Sequence, residues 1–486
     1  MSHGVAKPFE SQGDRRPTAH WMSALVATIL TGSSAGCTHY QALPLAPERS
    51  ASAFAARRLD DAQLREKVSR VMPAATTEWP PRAWDRADLL AVALVQNPTL
   101  AVANAQAQVS LAHQITAGER PNPDVTLQSE YARHDPYPWL YGVEFNWLLR
   151  SPERRRLEIN VARLDTENAR LELMEQAWIV RHELIGALSD WETARRRSVL
   201  LDRLAGAQTR FVELQRRRIA VGEDAPGDLI ASEHALLEIE QERAEVHAAA
   251  DTAQVAAAKA LGLPPRALDG VPVIWPDWGE PPPVTEDELR SRREQALLSR
   301  TDVGMAMSDY AAAEAKLQLA VARQYPEYTI SPGFYWDHGI PKFPFDVSFA
   351  LPLNGNRGEI AEALAGRNLA GSHMLAVQAN VYEDIAAAER AEGIERVSME
   401  AAEHQLASAR RQEQQAELGL RLGATDTLEK IGAEIIATRA ELEVVQIRAQ
   451  LQASRNALED ALHAPLSGPE LKLSITDSTL ALRAGS

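Results

Sequence analysis

The sequence predicts a mainly α-helical fold with a small β part, in which one helix–strand–strand–helix–helix unit occurs twice along the chain. Three observations carry that expectation. Long stretches place apolar residues at three-and-four spacing, the period of a packed helix face. Four short segments instead alternate apolar and polar residues, the period of a strand. The third is self-similarity. Pro123-Asp124-Val125-Thr126-Leu127 is answered by Pro326-Glu327-Tyr328-Thr329-Ile330 at an offset of about 203 residues. Val143-Glu144-Phe145 is likewise answered by Val347-Ser348-Phe349, Gly222 by Gly423, Glu233 by Glu434 and Leu261 by Leu462.

Composition narrows the class. The chain has 486 residues, 45% hydrophobic and 24% charged, enough apolar matter to bury a core, so wholesale disorder is excluded. A formal charge of -16 speaks against a nucleic-acid binder. One cysteine excludes a disulfide scaffold and any multi-cysteine metal site. A mean hydropathy of -0.28 argues against a bundle of membrane helices.

Residues 1–36 read as a lipoprotein signal peptide. Arg15 and Arg16 precede an apolar run at 21–30, about 10 residues, too short to span a bilayer but suited to a signal core. Ser34-Ala35-Gly36 then lead into Cys37, which resembles a bacterial lipobox, with Ser34 where leucine is usual. Two readings follow: Cys37 carries the lipid, or the signal is an ordinary secretory one beside an incidental cysteine. Either way the mature chain is exported, and residues 37–84 read as an extended tether.

The first repeat covers residues 85–263 and the second 285–466, with a Pro-rich linker at 264–284 and a polar tail at 467–486. Each repeat opens with a helical stretch of about 35 residues, entered at Asp85 or through a capping box of Thr285 and Glu288. Two strands follow. A helix of about 70 residues then runs to Gly222 or Gly423, and a return helix of about 40 residues closes the repeat. Leu157, Val161, Leu164, Leu171, Met174, Trp178, Ile185 and Leu188 form a coiled-coil-like seam on the first long helix. The short helices together match the long one in length, so they are expected to stack end to end beside it.

The strands sort their side chains into two sets. Val125, Leu127, Tyr131, Tyr141, Val143, Phe145, Trp147 and Leu149 oppose Thr126, Gln128, Glu130, Gly142, Glu144 and Asn146. In the second repeat Tyr328, Ile330, Phe334, Trp336, Phe345, Val347, Phe349, Leu351 and Leu353 oppose Thr329, Ser331, Asp337, Asp346 and Ser348. Alternation alone does not separate a half-buried soluble sheet from a membrane-spanning one. Two features favour the membrane: the chain offers no other β-structure to pack against, and the helices are too long to cover a small sheet. Four strands cannot close a membrane barrel, whose minimum is about 8. An open edge is not viable in lipid, so several chains must pool strands, and three give about 12. Tyr141, Val143, Phe145, Trp147, Phe334, Trp336, Phe345 and Phe349 would then face lipid. Gln128, Glu130, Glu144, Asn146, Asp337, Asp346 and Ser348 would line the lumen, where acidic groups favour cations.

The ordered set of elements, in duplicate, resembles the TolC family of outer-membrane efflux channels over residues 85–466. The matching stretches are RPNPDVTL at 120–127, ALPLNGNRGEI at 350–360, GEDAPGDLIASE at 222–233 and GATDTLEKIGAE at 423–434. The resemblance implies a homotrimer, an α-helical barrel continued by a 12-strand transmembrane β-barrel, anchored in the outer membrane of a Gram-negative bacterium and extending into the periplasm. It implies a passive duct that works with a periplasmic adaptor protein and an inner-membrane transporter. By the same resemblance Val221, Gly222, Asp224, Leu422, Gly423 and Asp426 form the periplasmic tip that meets the adaptor. The RPNPDVTLQSE wording leans toward the heavy-metal and cation branch. The alternative from another class is a non-transporting periplasmic coiled-coil lipoprotein with a tethering role. No phosphate-binding loop, GxSxG elbow or HExxH motif is present, and the 12 histidines have no metal-site spacing. No enzyme, cofactor or metal site is expected.

Overall fold

The computed structural model describes residues 39–72, 78–223 and 225–473. The signal peptide, Cys37 and Asp224 lie outside the described residues. After α1 (Pro47–Ala55) and α2 (Ala62–Val71) come α3 (Arg86–Gln96), α4 (Pro98–Gly118), β1 (Asp124–Tyr131), β2 (Trp139–Leu149), α5 (Pro152–Ala220) and α6 (Pro226–Leu261). The second repeat holds α7 (Glu286–Ser299), α8 (Thr301–Ala322), β3 (Tyr328–Asp337), β4 (Ile340–Lys342), β5 (Phe345–Phe349), α9 (Arg357–Leu422) and α10 (Thr427–Leu462). The long helices α5 and α9 have 69 and 66 residues, and at 1.5 Å per residue each is a rod of roughly 100 Å. Among the described residues no helix is long and apolar enough to cross a membrane.

The entry helix of each repeat is broken in two, where a single helical stretch was expected. In the first, Pro98 lacks an N–H and pushes Asn97 into an extended conformation (φ -61, ψ 127). The second repeat has no proline there, yet Arg300 takes nearly the same conformation (φ -61, ψ 141). Both residues use the break in the same way. Asn97 Nδ2 donates to the Ala260 carbonyl (2.8 Å), and Arg300 Nη1 donates to the Ala461 carbonyl (2.6 Å). The last turn of each return helix is therefore capped by the start of its stacked neighbour, which satisfies carbonyls a helix end leaves open. Along the long helix, α4 and α6 follow one another as expected: Thr166 Oγ1 donates to the Ser110 carbonyl and Gln208 Nε2 to the Ser232 carbonyl. Of the seam residues, Leu157, Leu164, Ile185 and Leu188 are buried.

Three segments carry more structure than their sequences suggest. Residues 37–84 are not simply an extended tether: α2 is helical, and Leu59, Leu64, Val68 and Met72 are buried in the main core. The linker is anchored by Trp275 and Trp278, both buried, with Trp278 Nε1 donating to Ser189 Oγ at 3.2 Å. The start of the tail also packs, through buried Glu470 and Leu473. The capping box is complete at Asp85 and Asp88, rather than at Thr285, whose side chain accepts from the Glu288 N–H. Burial and the neighbouring Asp85 push the Asp88 carboxyl up to about 6.

Glu470 belongs to a buried ion cluster that ties distant segments together. Arg181 on α5 is 1% exposed and donates to Glu470 (2.9 Å), Asp460 (3.0 Å) and Glu459. Arg86 lies 3.7 Å from Glu470 and 3.3 Å from Asp277. Burial opposes charge on Arg181, but Glu470, Glu459 and Asp460 outweigh it and hold the guanidinium protonated. Replacing one partner of such a cluster leaves buried charge uncompensated. Arg181→Met is expected to reduce stability by about 3–5 kcal/mol, read by denaturant unfolding followed by circular dichroism. His182 beside it is held above its usual pKa, chiefly by its hydrogen bond to Asp460. A raised histidine contributes stability that is full below about 6.5 and is lost as pH rises through the folded value. His182→Gln should therefore lower the melting temperature at pH 5.5 and leave it nearly unchanged at pH 9.

Candidate functional site

The five strand segments form one antiparallel sheet in the order β1-β2-β3-β4, with β5 also on β3. Tyr335 faces Lys342 and Pro332 faces Phe345, a single unbroken register, so β4 and β5 are one strand interrupted near Pro344. Pro344 lacks the N–H that would complete the ladder, although its carbonyl still accepts from Gly333 (2.9 Å). That gives the four strands expected. The last one is shorter than its alternation implies: it ends at Phe349, and Leu351 and Leu353 lie beyond it, 69% and 93% exposed.

Because facing residues in an antiparallel pair share a side, the register sorts every side chain. Val125 faces Phe145, Leu127 faces Val143, Tyr141 faces Trp336, Val143 faces Phe334 and Tyr328 faces Phe349. The apolar side thus gathers Tyr141, Val143, Phe145, Trp147, Phe334, Trp336, Phe345 and Phe349, all eight residues assigned to it from sequence. Aromatic contacts run across it, with Tyr131 and Trp139 at 4.9 Å near the loop end and Tyr328 and Phe349 at 5.4 Å near the helices. Among the described residues, the strands make their extensive contacts only with one another. Trp139, Tyr141, Trp147 and Phe345 stay about half exposed on a side that no helix covers broadly.

Gln128, Glu130, Glu144, Asn146, Asp337, Asp346 and Ser348 share the opposite side. A polar chain crosses it: Ser331 donates to Asn146 (2.6 Å), which donates to Thr126 Oγ1 (3.1 Å). Tyr335 belongs here too, although the sequence reading passed over it. Its hydroxyl donates to Glu144 (2.5 Å), and its ring lies where a side chain at Gly142 would stand, 2.0 Å from an added Cβ. Parity within Phe334-Tyr335-Trp336 was the signal that identifies it. Lys342 pairs with Asp337 on the same side.

The second region is the far end of the helices. Gly222 (φ +82) and Gly423 (φ +71) both adopt the left-handed conformation that closes a helix, with open space around each. Glu223 N–H returns to the Arg218 carbonyl (2.9 Å) and Ala424 N–H to the Gly419 carbonyl (2.8 Å), the same closing pattern twice. Val221 and Leu422 stand 72% and 75% exposed. Asp426 caps α10 by accepting from the Glu429 N–H (2.8 Å) and also accepts from Arg218 Nη1 (2.5 Å). Arg218 so joins the two turns, and Arg210 to Glu434 (2.8 Å) repeats the link farther in. These cross-repeat pairs were not legible from either segment alone. Asp426→Ala removes the cap and the link together. A cap is worth about 1 kcal/mol, so amide exchange over residues 427–430 should accelerate roughly five-fold, while exchange at the Gly222 turn changes less.

The chain matches no family model and no curated protein. Solved structures do resemble it. The outer membrane protein VceC of Vibrio cholerae aligns over 79% of this chain and 97% of its own, with TM-score 0.63 and 16% identity. The CmeC outer membrane channel of Campylobacter jejuni aligns over 92% and 94%, with TM-score 0.65 and 12% identity. The open-state MtrE outer membrane channel of Neisseria gonorrhoeae aligns over 79% and 89%, with TM-score 0.63 and 15% identity. At these identities the likeness is one of fold, and the fold is that of the TolC-family outer-membrane channels.

Proposed function

We propose that this chain is the outer-membrane channel of a tripartite efflux system, a non-enzymatic exit duct for small toxic compounds or metal cations. The observation that carries the reading is the sheet: among the described residues one side is apolar and not broadly covered, the other is polar, and both edges are open. In water such a sheet would expose aromatic surface. In lipid its unpaired edge groups would each lose several kcal/mol. Both problems vanish when three copies join edge to edge into a ring of about 12 strands, with the apolar side outward. The polar side, with Glu130, Glu144, Asp337 and Asp346, then borders a water-filled lumen, and the helices extend that passage into the periplasm. Transport through it is passive, and an inner-membrane transporter supplies the energy through an adaptor. Val221, Gly222, Asp224, Leu422, Gly423 and Asp426 are the residues that meet the adaptor. Cys37 carries the lipid that tethers the mature N-terminus.

The reading makes definite demands. Outer-membrane fractions should yield a heat-resistant trimer, and the purified protein should form pores in planar bilayers. A soluble periplasmic species without conductance would favour the tethering lipoprotein instead. Gly222→Glu and Gly423→Glu combined should abolish both efflux complementation and crosslinking to the adaptor. Survival of both would remove the tip from the docking surface. Cys37→Ala should eliminate labelling by radioactive palmitate, and persistent labelling would place the lipid elsewhere.

A further inference from the structure

The polar side of the sheet has two gaps at its centre, and one tyrosine lies over them. Gln128 faces Gly142, Gly142 faces Tyr335 and Tyr335 faces Lys342, so one row crosses all four strands and only Gly142 in it lacks a side chain. In the neighbouring row Thr126 faces Glu144 and Glu144 faces Gly333. Tyr335 and Glu144 therefore each stand opposite a glycine. The Tyr335 ring leans into the first gap, 2.0 Å from where a Cβ at Gly142 would stand, and passes 3.5 Å from the same position at Gly333. It lies along the sheet rather than away from it, and its hydroxyl donates to Glu144 at 2.5 Å. Glycine inside a strand weakens it, and a close approach of another group is what such a glycine permits.

Glu144 has no competing partner. Asp337, on the same side, pairs with Lys342 and His338, whereas among the described residues no cationic side chain pairs with Glu144. A hydrogen bond to a charged carboxylate is stronger than one between neutral groups, so this one holds the ring down. The other repeat builds no second copy of the pair. At the repeat offset Tyr335 corresponds to Ala132, Gly142 to Asp346 and Glu144 to Ser348. The pair occurs once per chain.

We propose that the Tyr335–Glu144 pair sets the free width of the passage, and with it the largest solute the duct admits. The assignment rests on the closed-ring reading above. Twelve strands about 4.8 Å apart and tilted about 40° close a ring roughly 24 Å across between facing backbones, so side chains on the polar side decide the open bore. Three tyrosines, one per copy, lie against the wall and leave the bore open to bulky organic solutes. In another staggered rotamer, standing away from the sheet, the same three rings would meet the passage at one level and narrow it. Gly142 supplies the room in which the ring lies, and Glu144 holds it there.

Single-channel recording of the full-length chain in planar bilayers reads this width in two ways. One is potassium conductance; the other is the permeability of tetrabutylammonium relative to potassium, from the zero-current potential under bi-ionic conditions. Gly142→Ala puts a methyl group into the ring's space and is expected to lower both. Adding Tyr335→Ala removes the ring, so the double variant should recover both readings, which also shows that the fold survives the alanine at 142. Tyr335→Phe keeps the ring and loses the hydroxyl, and its readings should fall between wild type and Gly142→Ala. Wild-type readings from Gly142→Ala, or low readings that persist in the double variant, overturn the assignment of the ring. Tyr335→Phe channels indistinguishable from wild type remove the role of Glu144. In each of these cases a heat-resistant, conducting trimer leaves the closed ring standing. An unmodified chain that neither forms that trimer nor conducts overturns the ring, and the tyrosine's role with it.

Discussion

The structure turns on the backbone of two sheet edges that, among the described residues, has no strand partner. Each edge presents a row of N–H and C=O groups, and a sheet whose other side is apolar has nowhere in the single chain to place them. Water would satisfy the edges and leave Trp139, Tyr141, Trp147 and Phe345 exposed. Lipid would cover the aromatics and starve the edges. Closure by further copies, as proposed, would satisfy both, and the placement of Pro344 is consistent with it. Pro344 interrupts the ladder toward β3, inside the sheet, while the outward positions of β5, Phe345, Val347 and Phe349, keep their donors; Pro341, on the same outward parity, lies in β4.

Duplication shows which features the backbone requires and which are free to vary. The break between entry helices carries a proline after Asn97 in one repeat and none after buried Arg300 in the other, and the Asn97 and Arg300 side chains donate to equivalent return-helix carbonyls, Ala260 and Ala461. The left-handed residue that ends the return helix is Gly262 in one and His463 in the other. His463 accepts a conformation that favours glycine and stacks on Trp178 at 5.2 Å. The geometry was kept while the chemistry drifted. The long helix α5 of the first repeat and the return helix α10 of the second are bridged by Arg210 to Glu434 and by Arg218 to Asp426, the α10 cap.

Much of this was legible in the chain because two periods are hard to mistake. Alternation located the four strands and sorted fifteen named side chains onto two sides, and three-and-four spacing gave the long helices to within a few residues. What escaped has physical reasons. The break at Arg300 carries no proline, so nothing local announces it. Helix α2 is only 10 residues, with Leu64 and Val68 one turn apart, a signal too brief to outweigh its charged surroundings. The Arg181 cluster joins residues 278 and 289 positions apart, and no window of sequence holds both ends. Tail and linker read as polar or Pro-rich, yet each contributes one or two buried anchors, Glu470 and Leu473 or Trp275 and Trp278, whose burial depends wholly on tertiary placement.

The most direct test is residue-resolved amide exchange of the protein in outer-membrane vesicles, compared across the sheet. If the edges are closed by other copies, the outward amides of Val125, Leu127, Ser129, Val347 and Phe349 will be protected as strongly as those of Val143 and Phe334 at the interior seam. Free exchange at those edge amides, beside a protected seam, would contradict the account.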